Sequence, residues 1–74
     1  MELFGWIEDT RSDAESIVNE WGMPAQSERM ARRQARLNTR IKHGKRSEAE
    51  VLEVMREGSL PGQKIYLVRT RVDR

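Results

Sequence analysis

Residues 29–46 carry eight basic side chains and not one acid, and this run constrains the chain more than any other feature. It is written in good helix formers, Arg, Ala, Gln, Met and Leu. Ser27 is placed to cap its amino end and Gly44 to stop it, so the pattern predicts a helix from about 28 to 42. At 100° per residue, Arg29, Arg32, Arg33, Arg36, Arg40 and His43 fall on one stripe. Met30, Leu37 and Ile41 form a narrower apolar stripe about 100° away, with Gln34 beside it. Ala31, Ala35, Asn38 and Thr39 occupy the remaining arc and are small enough for close approach.

A solvated helix face normally interleaves acids with bases, because like charges at i, i+4 destabilise by roughly 0.2–0.5 kcal/mol per pair. Five arginines stacked without an acid call for compensation from outside the helix. Residues 1–28 hold seven acids (Glu2, Glu8, Asp9, Asp13, Glu15, Glu20, Glu28) against Arg11 alone, and residues 47–74 balance five acids with five bases, which leaves the chain at +2 overall. Three compensators follow: phosphate, the acidic first 28 residues folding back, or an acidic protein partner. Arginine predominates over lysine, and its planar fork suits bidentate contact with phosphate oxygens and guanine edges. Nucleic acid, DNA or RNA, is therefore the favoured ligand. Its binding set would be Arg29, Arg32, Arg33, Arg36 and Arg40, continued by Lys42, Lys45 and Arg46 around Gly44, with Arg69 and Arg71 as an extension if their strand lies alongside. In residue type, the stretch Ser27 to Ile41 resembles an arginine-rich RNA-binding helix, the kind that enters a widened RNA groove or hairpin loop. A helix-turn-helix is the competing geometry, with Ile17, Val18, Trp21 and Gly22 as first helix and turn.

The rest of the chain predicts a mainly α fold with minor β: an N-terminal extended segment, three short helices and a C-terminal strand, in a single small domain. Glu2 to Glu8 reads as a short strand or arm. Ser12-Asp13-Ala14-Glu15 reads as a capping box opening a helix over 13–21, with Ala14, Ile17, Val18 and Trp21 on one face. A second box, Ser47-Glu48-Ala49-Glu50, opens a helix carrying Val51, Leu52, Val54 and Met55 to Gly58. Leu60-Pro61-Gly62-Gln63 suits a type II turn, after which Lys64 to Val72 alternates, with Tyr66, Val68, Thr70 and Val72 on one side and Ile65, Leu67, Arg69 and Arg71 on the other. Such a strand needs a partner, either Leu3 to Ile7 or the same strand of a second protomer. Trp21 is expected in the core, and Trp6 in the core or at a protein interface.

With 74 residues the chain is small for a self-sufficient core, so a marginal monomer or a homodimer is expected. It has no cysteine and one histidine, which removes disulfides, thiolate zinc and cysteine nucleophiles. His43 stands among arginines, whose charge disfavours the imidazolium, and a solvent- or phosphate-facing helix end suits it. The acid pairs adjoin capping signals, and no phosphate loop, serine elbow or metal spacing is present, so neither enzyme activity nor a cofactor is expected. Apolar runs fall far short of the roughly 20 residues that span a bilayer. The start, Met1-Glu2-Leu3-Phe4, lacks the basic and apolar regions of a secretory signal, and a cytoplasmic setting follows. The leading expectation is a regulatory or accessory nucleic-acid binder of the kind small phages and mobile elements encode. The rival is a small protein-binding module or inhibitor that docks on a host protein through its charge dipole or its Trp6 edge.

Overall fold

A computed structural model of the chain describes residues 4–44, 48–61 and 63–73. The elements in order are β1 (Trp6–Ser12), β2 (Ser16–Ala25), α1 (Glu28–His43), β3 (Ala49–Leu60) and β4 (Gln63–Asp73). The four strands form one antiparallel sheet in the order β1-β2-β4-β3. Since β2 and β3 each run antiparallel to β4 between them, they are parallel to one another, and α1 is the crossover that joins them over one face. The mainly α expectation is therefore overturned: the protein is 59% strand and 25% helix.

Two of the three expected helices are strands, for reasons visible in the side chains. Ile17, Val18 and Trp21 satisfy helical spacing, but Ile17, Asn19, Trp21, Met23 and Ala25 also alternate, and the buried polar Asn19 disguises that alternation. Ser12, the expected cap, ends β1 instead. Asp13 Oδ1 accepts from the amides of Glu15 and Ser16 at 2.8 Å each and closes the turn from β1 to β2. In β3 a bulge between Val51 and Glu53 inserts Leu52, so Val51 opposite Thr70 and Val54 opposite Val68 share a face although three positions apart. A period of two is thereby converted into one that mimics a helix. These two strands, and neither Leu3 to Ile7 nor a second protomer, are the neighbours β4 needs. The N-terminal strand begins at Trp6 and ends at Ser12, displaced from the expected 2–8, and Leu3 lies outside the described residues. The helix-turn-helix geometry falls with the first helix.

α1 and β4 follow their sequence patterns. Ser27 Oγ accepts from the Met30 amide and Gly44, at φ 102°, ends the helix. The expected faces of β4 are preserved, with Tyr66, Val68, Thr70 and Val72 buried against the helix. The expected type II turn includes Gly62, which lies outside the described residues.

The core lies between α1 and the sheet: Trp21, Met23 and Ala25 of β2, Tyr66 and Val68 of β4, and Ala31 and Ala35 of α1, with Val51 and Val54 at its margin. The alanines let α1 approach closely, so one large indole fills the centre. Trp21 sits there as expected, on a strand rather than a helix. Its Nε1 donates to Thr39 Oγ1 and Thr70 Oγ1, both at 3.1 Å. Thr39 donates to the Ala35 carbonyl at 2.8 Å, so the 2.7 Å contact between the two hydroxyls is a bond donated by Thr70. Every donor in this buried cluster finds an acceptor, and the cluster ties helix, β2 and β4 together.

Candidate nucleic-acid interface

The face of α1 turned to the sheet consists of Ala31, Ala35, Asn38 and Thr39. Arg29, Arg32, Arg33, Arg36 and Arg40 are all exposed on the opposite side. From Arg29 to Arg40 the stripe extends roughly 16 Å along the axis. Lys42 is exposed at its carboxyl end, while Lys45 and Arg46 lie outside the described residues. The apolar stripe flanks the arginines and does not fill the core: Met30 is 53% and Leu37 42% exposed, with Ile41 half-buried.

Three acids of the first 28 residues are engaged elsewhere. Asp9 pairs with Arg11 on β1, Glu8 accepts from the Trp6 indole, and Glu20 binds Arg69 on the sheet. Glu28 reaches the stripe, meeting Arg32 at 3.3 Å one turn along the helix. Arg29, Arg33 and Arg36 have no acid partner among the described residues. Glu28 in the first turn and basic groups in the last both favour the helix dipole. Arg29, Arg33 and Arg36 present their charge to solvent.

Arg69 and Arg71 do not extend the patch. They point from the sheet face opposite α1, where Arg69 bridges Glu20 at 3.1 Å and Glu53 at 3.2 Å and Arg71 binds Glu50 at 2.8 Å. His43 is half-buried rather than free at the helix end, with Nε2 2.9 Å from Asn19 Oδ1, whose amide nitrogen donates in turn to Thr10. That arrangement makes Nε2 the protonated nitrogen. Burial, and secondarily the charge of Lys42, hold its pKa below the usual 6.5.

A feature invisible along the chain is the clasp between the amino-terminal segment and α1. The Phe4 amide donates to Asn38 Oδ1 at 3.2 Å, and the Asn38 amide donates back to the Phe4 carbonyl. Gln34 donates to the same Oδ1 at 3.0 Å. At Gly5 the chain turns with φ 92°, and a Cβ there would stand 2.4 Å from the Gly22 carbonyl oxygen. Phe4 is thereby held to the helix layer, whereas the Trp6 ring lies over Gly22 on the far side of the sheet.

In comparisons with known proteins, no family model, no curated protein and no solved structure matches this chain. Among the described residues no group of His, Asp or Glu could hold a metal ion, and no helix is long and apolar enough to cross a membrane.

Proposed function

We propose that this protein is a non-enzymatic nucleic-acid binder that grips phosphate with the exposed stripe of α1, acting in the cytoplasm, where a cysteine-free chain needs no oxidising surroundings. The observation that carries the reading is the absence of acid partners for Arg29, Arg33 and Arg36 among the described residues, although Asp9, Glu20, Glu50 and Glu53 are paired with arginines elsewhere. An arginine stripe fixed to a rigid sheet, its buried side made of alanine and threonine, offers several guanidinium groups in one line at little further ordering cost. Such contacts release counterions, so affinity should fall by roughly 0.7–0.9 log unit per log unit of salt for each phosphate neutralised. A titration of duplex DNA and of structured RNA at several salt concentrations tests this. Arg36→Glu should abolish binding. An absence of measurable binding to either polymer at low salt would overturn the reading.

A second reading, docking on a protein, is favoured by a separate observation: Trp6 is 43% exposed on a sheet face that α1 does not cover. Trp6→Ala would then weaken capture of the partner with the fold intact, and unchanged capture would count against it.

A further inference from the structure

The uncovered face of the sheet is ordered in rows. Register places Trp6, Gly22, Leu67 and Met55 in one row across all four strands, with Pro24 and Ile65 in the row beyond. The next row on the other side is Asp9, Glu20, Arg69 and Glu53, followed by Arg11, Val18, Arg71 and Glu50. One end of the face is thus apolar, with Met55 52% exposed, and the other is charged.

We infer that this face pairs with the same face of a second copy, about a two-fold axis parallel to the strands. That axis lays β1 over β3 of the second copy and β2 over β4, and keeps each row opposite itself. Trp6 then meets Met55, and Leu67 stands over Gly22, where its own chain has left no side chain but the Trp6 ring. Arg11 faces Glu50 and Glu20 faces Arg69, so charges of opposite sign meet at both sites. Asp9 faces Glu53, but each is already held by an arginine of its own chain. An axis perpendicular to the strands would instead set the Trp6 row against the Arg11 and Arg71 row, exchanging apolar contacts for buried charge. Four strands at about 4.8 Å spacing and seven residues at about 3.3 Å give a footprint of roughly 450 Å² in projection. Pleating and side chains raise this toward the roughly 600 Å² per partner at which stable interfaces begin.

The consequence deepens the proposed function and rests on it. Sheets packed at about 10 Å, each with its helix about 10 Å outside, set the two helix axes roughly 30 Å apart, with the arginine stripes on opposite outer surfaces. The dimer would hold two nucleic-acid segments at once and bridge them.

Sedimentation of the protein without nucleic acid tests the interface, and capture of a labelled duplex by a bead-bound duplex tests the bridging. A dimer is expected, with its dissociation constant raised about tenfold or more by Met55→Glu. Arg11→Glu and Glu50→Arg should each weaken it and together restore it. Circular dichroism establishes that each variant is folded. Met55→Glu should still bind one duplex but lose capture of the second. A monomer at every concentration up to about 1 mM, or a dimer indifferent to Met55→Glu and to the charge exchange, overturns the inference. Indifference to these changes would place contact at a strand edge or on the helix. A dimer that responds to both but binds no nucleic acid upholds the interface and sinks the binding function instead.

Discussion

The two faces of this molecule treat arginine in opposite ways. On the sheet, Arg69 and Arg71 lie among Glu20, Glu53 and Glu50, and their charge is satisfied within the fold. On α1, Arg29, Arg33 and Arg36 are paired with no acid among the described residues. Residue type alone therefore says nothing about role. Cross-strand neighbours on a sheet are set by register, and here register supplied acids; neighbours on a helix are set by i, i+4 spacing, and here the sequence withheld them. The first arrangement serves stability and self-recognition, and the second leaves charge available to an external anion.

Four changes would break or sharpen that contrast. The largest effect should come from Gly5→Ala, because the positive φ and the 2.4 Å approach to the Gly22 carbonyl oppose any side chain at the point where the chain is divided between the two faces. A loss of about 2 kcal/mol or more is expected in urea unfolding, and an unchanged midpoint would show the turn to be dispensable. Thr39→Val comes next. It keeps the shape but removes the acceptor for Thr70 and one acceptor for the Trp21 indole, at a cost of about 1–2 kcal/mol in the same measurement. Arg69→Gln should cost at most about 1 kcal/mol, since its pairs are half-exposed and screened. Arg33→Gln, by contrast, should leave stability unchanged or raise it by a few tenths of a kcal/mol while weakening nucleic-acid binding. Equal stability losses from these two would erase the distinction between the faces.

The smallest effect concerns pH. His43 titrates below 6.5 in the folded chain and near 6.5 in the unfolded one, so within that window the unfolded state binds more protons. Stability should therefore fall as pH is lowered from about 7 through 6.5 and level off below the folded pKa. His43→Asn should flatten the profile over this range, and a wild-type profile already flat there would contradict the burial of the ring.

The helix, its caps and the alternation of β4 were legible because each depends on neighbours within a few positions of sequence. Ser27 and Gly44 act on adjacent backbone, and Tyr66, Val68, Thr70 and Val72 repeat without interruption. β2 and β3 were not legible. Asn19 breaks the apolar rhythm of β2, yet it is buried because Thr10 and His43 satisfy its amide from other elements. The bulge at Leu52 shifts the phase of β3, and the strand it is measured against, where Thr70 faces Val51, lies beyond a turn. The exposed arginine stripe could be read from charge alone, but its backing could not. Large apolar residues suggest a packing surface, whereas here the bulky Trp21 beneath the helix required alanine and threonine above it. The rows of the uncovered face were out of reach, since they exist only once four strands are in register.

The position of β4 also bears on how the molecule comes into being. β4, one of the two inner strands, is made after the other three, and β2 and β3 have no edge to share until it arrives. During synthesis the β1–β2 hairpin and α1 can form, but Trp21 has no Thr70 to bind and the sheet cannot close until residues 63–73 have left the ribosome. The pairing of β2 with β4 is thus a late step built on contacts distant in sequence, and contacts of that kind slow folding.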